Sequence, residues 1–148
     1  MKLSLSLGWF EKAPRKKQFL KNSSYQGLFD LYTGRLLQKV GLTPSMNEKP
    51  AGKLWLCHRN PRSKQETNLS SEQLADSFEQ LKSSGRDLTI GIGGPDGFSQ
   101  QQIDILRPDL ILSFGKITMP HELALVVVCE QLYRIQCILG NHPYHQGH

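Results

Sequence analysis

The sequence predicts an α/β protein with a mostly parallel sheet, and three observations carry that expectation. Short apolar runs that suit strands alternate with longer segments whose apolar residues recur at three- and four-residue steps, as on one face of a helix. Capping and stop signals fall at the joins between them. Glycine-rich or irregular stretches come after the strands, where sheets of this class gather their binding loops.

Taken in order, Lys2–Leu7 reads as the first strand, with Leu3, Leu5 and Leu7 alternating with Ser4 and Ser6. A basic loop with Pro14 comes next. From Ser24 the period changes, and Tyr25, Leu28, Phe29, Tyr32, Leu36 and Val40 predict a helix ended by Gly41 in a left-handed cap. Thr43–Gly52, with Pro44, Asn47 and Pro50, is expected to be a loop. Lys53–Cys57 predicts a short buried strand and Arg59–Thr67 a polar connection. Ser70 and Gln73 form a capping-box pattern, and Leu69 is placed to staple onto Leu74 outside that cap. Leu74, Phe78 and Leu81 then make the buried stripe of a helix that Gly85 stops. Asp87–Ile92 is the third strand, Gln100–Leu106 a short helix closed by Pro108, and Leu110–Ser113 the fourth strand. A long apolar helix is expected from His121 to Leu139. The segments converging at the strand ends are then Leu56–His58, Gly93–Gly97 and Phe114–Pro120.

A length of 148 residues fits a single domain spanning 1–148, and a hydrophobic fraction of 38% with 21% charged residues is ordinary for a globular chain. No apolar run approaches the roughly 20 residues that cross a bilayer, so no membrane partner and a cytoplasmic location are expected. The three cysteines, Cys57, Cys129 and Cys137, have no metal-ligand spacing, and the last two lie in an apolar helical run. His142, His145 and His148 recur at steps of three, but Pro143 breaks any shared helix face and no acidic or cysteine partner is adjacent. No metal is expected.

Net charge is +5, and the cations are unevenly placed. Lys12, Arg15, Lys16, Lys17 and Lys21 crowd the segment after the first strand, and Arg59, Arg62 and Lys64 come after the second. Such runs fit either a polyanionic partner or simply a solvated loop.

The segments with chemical potential lie late in the chain. Ile90–Gly97 (IGIGGPDG) is not the dinucleotide fingerprint, whose spacing is GxGxxG. Gly93 and Gly94 at a strand end would let a flat ligand approach the backbone; a plain tight turn is the alternative. Phe114–Pro120 is too irregular for simple packing. His121 opens the last helix, whose N-terminus disfavours a charged imidazole, so it can accept a proton or merely bond backbone there. Glu130 and Arg134 stand four residues apart, as a local ion pair or as a catalytic carboxylate with its neighbour. Tyr144 and His145 suit stacking on, and hydrogen bonding to, a base outside a duplex. Leu123, Val126, Val127, Leu132 and Ile135 give the last helix more apolar surface than a lone surface helix needs, which predicts a homodimer interface.

Four signals in order, Ile90–Gly97, Phe114–Glu122 (FGKITMPHE), Glu130–Arg134 (EQLYR) and Asn141–His145 (NHPYH), resemble the ribosomal large-subunit RNA methyltransferase H family of the SPOUT methyltransferases. The resemblance covers the chain well from about Lys53 and poorly before it. It implies a SPOUT-type sheet with helices on both faces and a C-terminal trefoil knot, which general topology rules would not suggest. It also implies S-adenosyl-L-methionine as methyl donor, held by backbone groups at Leu56, Gly93, Gly94, Phe114, Gly115, Lys116, Ile117, Thr118 and Met119. His121, Tyr144 and His145 become the candidate catalytic residues, with the tail reaching the site of a partner subunit. The implied target is N3 of a pseudouridine in 23S rRNA of the 70S ribosome. Two positions depart from the family: Leu125 stands where an arginine is usual, and Gln146 where a basic residue is common. Those departures keep open a non-catalytic RNA- or ribosome-binding protein with the same fold.

Overall fold

A computed structural model describes residues 1–50, 52–58, 66–67, 69–115 and 117–146. In chain order the elements are β1 (Leu3–Leu7), α1 (Ser23–Val40), β2 (Ser45–Met46), β3 (Lys53–Cys57), β4 (Glu66–Thr67), α2 (Ser71–Ser83), β5 (Leu88–Ile92), α3 (Gln100–Leu106), β6 (Leu110–Leu112) and α4 (His121–Leu139). The strands lie in the order β2-β1-β5-β3-β6-β4, and every described pairing is parallel. The expected α/β class, the four main strands and all four helices are present.

Register decides where a site can form. Leu7 of β1 and Cys57 of β3 both stand opposite Ile92 of β5, and Leu112 of β6 stands opposite Cys57. The carboxyl ends of four adjacent strands are therefore flush, and the segments leaving them begin side by side.

Side-chain alternation along β3 divides the interior between the two faces of the sheet. Trp55 and Cys57 join the main core with Leu3, Leu5, Leu7, Leu88, Ile90 and Ile92 and with residues of α1, α2 and α4. Leu56 turns the other way, into a smaller cluster with Ile103 of α3 and Ile111 of β6, with Leu54 and Phe98 beside it. Helices thus cover both faces, three on one and the short α3 on the other.

The helix ends are set by local sequence. Gly41 caps α1 with φ 66°, a conformation that costs glycine little. Ser70 and Gln73 form the reciprocal capping box on α2, and Ser99 with Gln102 repeats it on α3.

Two expectations about helix faces need correction. On α1, Leu28 and Val40 are exposed, while Gln26 is buried with Phe29 and Leu36. Gln26 is inside because its side-chain oxygen accepts the backbone N–H of Phe19 (2.8 Å) and of Leu20 (2.9 Å). On α4, the apolar residues expected to form a dimer face are largely consumed within the chain. Val126, Leu132 and Ile135 are buried, and α4 packs against both α1 and α2 above the sheet. A helix that is apolar on nearly every side is a central helix, and needs no second copy to explain it. Among the described residues no helix is long and apolar enough to cross a membrane.

Candidate functional site

The flush strand ends open into a cleft of about 700 Å³, within the usual range for small-molecule sites. Its floor is Cys57, Ile92 and Leu112, the last residues of β3, β5 and β6, with His58 directly after β3. Gly93–Gly97 forms one wall, and Phe114, Ile117, Thr118, Met119 and Pro120 form another, continuing into His121 and Ala124 at the start of α4. All three converging segments anticipated from sequence meet here.

Local backbone geometry explains the glycines. A Cβ on Gly93 would stand 2.9 Å from the Cα of Gly97 and 3.0 Å from its carbonyl carbon, so the turn closes on itself only without a side chain. Gly94 differs: a Cβ there would meet only the Cβ of Trp9 at 3.6 Å and Gly8 at 3.8 Å, ordinary contact distances. Gly115 has φ 85°, which glycine adopts freely and other residues rarely. The backbone of 113–115 and 117–120 belongs to no helix or strand, so its amides and carbonyls are not committed to a ladder. A flat, partly apolar ligand with polar edges fits a wall of this kind.

His121 is held at the rim. It is the first residue of α4, comes directly after Pro120, and meets the Trp9 ring edge-on at 4.6 Å between centroids. Trp9 leaves the end of β1 and also backs Gly94. Sequence reasoning passed over Trp9, and placed His58 only as the end of a converging segment. The only signal for them was position, one or two residues beyond a strand end.

The candidate cofactor residues divide. Gly93, Gly94, Phe114, Ile117, Thr118 and Met119 line the cleft. Leu56 does not, because its side chain is buried on the opposite face of the sheet. Gly115 lines a second hollow of about 540 Å³, which shares Phe114 and runs along α2 to Val127 and Gln131. Lys116 lies outside the described residues, as do Arg59, Arg62, Lys64 and His148.

The candidate catalytic residues divide as well. Tyr144 and His145 fold back on the far part of α4 rather than on the cleft. The Tyr144 ring packs edge-on against Tyr133 at 4.8 Å, and its hydroxyl donates to Glu130 Oε1 at 3.1 Å. Burial, aided by the neighbouring Tyr32 hydroxyl and the Glu130 carboxylate, pushes the Tyr144 phenol well above its ordinary range. His145 reaches Arg134 through Nδ1 (3.0 Å) and Glu72 through Nε2 (2.7 Å). The His145 imidazole holds the Glu72 carboxyl below its usual value. A carboxyl pKa lowered on folding favours the folded arrangement above the ordinary carboxylate range, and that contribution is lost as pH falls through the lowered value. The tail therefore has a packing role that sequence did not reveal. Tyr133 stands twelve residues beyond His121 on α4, about 18 Å at the helical rise of 1.5 Å per residue. One chain does not bring its tail to its own cleft.

Glu130 and Arg134 form the local ion pair, with Glu130 Oε1 accepting from Arg134 Nε at 2.9 Å and from Nη2 at 2.7 Å. Leu125 is fully buried in the main core. Gln146 is exposed.

No group of side chains suited to a metal ion occurs among the described residues. All three cysteines are free and buried. Burial pushes the Cys57 thiol up to about 12. At pH 8 the thiol therefore stays protonated and a poor nucleophile. Iodoacetamide should label none of the cysteines of the native protein on the timescale that labels all three in denaturant. Rapid labelling of Cys57 in the folded state would show the cleft floor to be open.

The family described as "Predicted SPOUT methyltransferase" matches residues 61–145. A protein named Ribosomal RNA large subunit methyltransferase H from Xylella fastidiosa (strain M12) is 48% identical over 79 residues, 53% of this chain and 49% of its own length. Proteins of the same name from Xanthomonas oryzae pv. oryzae (strain PXO99A) and Bartonella bacilliformis are each 46% identical, over 79 and 80 residues, again 53% of this chain and 49% of theirs. The chain spans about half the length of the curated relatives it matches.

Proposed function

As the chain belongs to the SPOUT methyltransferase family, we propose that it transfers a methyl group from S-adenosyl-L-methionine to N3 of a pseudouridine in 23S rRNA of the assembled 70S ribosome. The observation that carries this reading is the cleft at the flush ends of β3, β5 and β6, walled by the glycine turn and by irregular backbone. The relatives named for ribosomal RNA supply the substrate class. Within the reading, the C-terminal part of the chain forms a trefoil knot, and the protein works beside ribosomes in the cytoplasm.

The donor, when bound, supplies an activated methyl group on a sulfonium, so the chain has chiefly to align the acceptor and manage one proton. The backbone of Gly93–Gly97, 114–115 and 117–119 would hold the donor. His121, at the rim of the cleft, would be positioned to take the N3 proton, with His58 and Asp96 lining the same cleft. Phe114, Ile117 and Met119 would offer the donor apolar contacts along that wall. Tyr144 and His145 belong to the same chemistry only if they come from a second copy, since about 18 Å of α4 separates their anchor from His121 within one chain. That separation, rather than any spare apolar face on α4, is what supports a homodimer.

Isothermal titration with S-adenosylhomocysteine should give saturable binding. Ribosomes incubated with the protein and S-adenosylmethionine should gain methylated pseudouridine, read by mass spectrometry of rRNA nucleosides. Removing His142–His148 should leave donor binding intact and stop methyl transfer. Tyr144→Ala should lose most of the activity, since base–aromatic stacking is worth about 1–3 kcal/mol. A truncated protein that methylates ribosomes at the wild-type rate would leave the tail with its packing role alone.

A non-catalytic RNA- or ribosome-binding protein is the second reading. It draws on Leu125, buried where relatives of the resembled family carry arginine, and on a tail engaged with Glu72, Glu130 and Arg134. Donor binding without any methylated nucleoside would favour it.

A further inference from the structure

Between β1 and α1, residues 12–21 carry five cations, Lys12, Arg15, Lys16, Lys17 and Lys21, and no acidic residue. All five are exposed. Among the described residues no ion pair involves any of them. Glu11, just before the run, is the one acidic side chain in the hollow that Lys12, Arg15, Lys16 and Lys21 line, so the surface is strongly one-signed.

The loop is nevertheless firmly built. Asn47 Nδ2 donates to the carbonyl of Phe10 at 3.0 Å. Gln26 accepts the N–H groups of Phe19 and Leu20, and Leu20 is buried in the core. Phe10, Phe19 and Phe29 succeed one another edge to face at 6.1 and 5.1 Å. Holding five like charges together on a fixed backbone, with Glu11 as the one acidic side chain lining the hollow, is unfavourable until a further anion arrives.

Both ends of the loop are fastened to the cleft. At one end Trp9 meets His121 and Gly94. At the other, the buried carboxylate of Glu122, the residue after His121, accepts from Lys21 N–H at 2.9 Å and Asn22 N–H at 3.1 Å. We propose that the 12–21 loop is a phosphate-binding surface for single-stranded RNA, set beside the cleft so that the strand on either side of an entering nucleotide is held by its backbone. This rests on the methyl-transfer reading for the class of polyanion, but the two fail separately. An anionic membrane is disfavoured because the loop's aromatic residues, Phe10 and Phe19, pack inward on the core and leave nothing to insert.

The test is a salt series. Binding of a labelled single-stranded RNA oligonucleotide of mixed sequence is followed by fluorescence anisotropy, for the wild type and for Arg15→Gln/Lys16→Gln/Lys17→Gln. With about 0.7 of slope per neutralised phosphate, the triple variant should lose about 2 from the slope of log K against log salt. Its S-adenosylhomocysteine affinity and thermal unfolding should match the wild type. Equal slopes in the two proteins overturn the proposal, as does a wild type that shows no salt-dependent RNA binding. Binding to phosphatidylserine vesicles that the substitutions abolish, with RNA binding unchanged, overturns it in favour of a membrane. A wild type that binds the RNA through the loop but not S-adenosylhomocysteine would sink the methyl-transfer reading and leave this one standing.

Discussion

Gly93→Ala is expected to weaken S-adenosylhomocysteine binding by roughly 100-fold, a loss of about 3 kcal/mol. A single methyl group is enough, because the added carbon would press on the backbone of Gly97 at 2.9 and 3.0 Å. Backbone does not give way as the end of a flexible side chain does, so the whole 93–97 turn has to open. That turn is a wall of the cleft, and the donor would lose it. Gly94→Ala is the matched control. There the new carbon meets Trp9 at an ordinary 3.6 Å, and binding should change by less than about tenfold. Calorimetry on both variants, with circular dichroism to confirm that each remains folded, reads the difference. Wild-type affinity in Gly93→Ala would remove the glycine turn from the donor site.

Glu130→Ala is expected to cost about 2–4 kcal/mol of stability and to free the C-terminal tail. Glu130 accepts two bonds from Arg134 and one from Tyr144, and its other oxygen takes the Gln131 amide at 2.8 Å. The Arg134 and Glu130 side chains are only 13% and 18% exposed, so removing the carboxylate strands a guanidinium with little water around it. Glu130→Gln keeps an acceptor for Tyr144 and should lose less. Urea melts give the stability, and limited proteolysis after residue 140 reports the tail. A melt within about 0.5 kcal/mol of wild type would mean that the pair is worth no more than an exposed one.

Much of the fold was legible because its elements obey simple periods. The capping box at Ser70 and Gln73, the left-handed cap at Gly41 and the bounds of α3 and α4 agree with the structure to within a residue or two. The cleft was legible for a related reason. Once strands ending at Cys57, Ile92 and Leu112 are parallel and in register, the loops leaving them have to converge. The two-residue strands β2 and β4 were not legible, since two residues carry no period. Asn47, directly after β2, accepts from Leu7 N–H through its side chain at 2.6 Å, a contact across 40 residues that no local pattern encodes. The burial of Gln26 escaped for the same reason. The packing of Tyr144 and His145 was not legible, because a polar, proline-bearing tail shows no partners in sequence until Glu72, Glu130 and Arg134 are seen beside it.

The middle of the sheet has a consequence for how the protein comes into being. β1 lies between β5 and the two-residue β2, so its only full-length neighbour is β5, and Leu3 pairs with Leu88. During synthesis the backbone of Leu3–Leu7 lacks its full-length strand partner until residue 92 has been made. Parallel pairings across such separations close slowly, and an apolar strand waiting for its partner is open to wrong company. The serines that alternate with those leucines keep the nascent segment less adhesive than a continuous apolar run, and the lysine-rich stretch after it adds repulsion between neighbouring chains. The same amino-terminal stretch can therefore guard the chain before folding is complete.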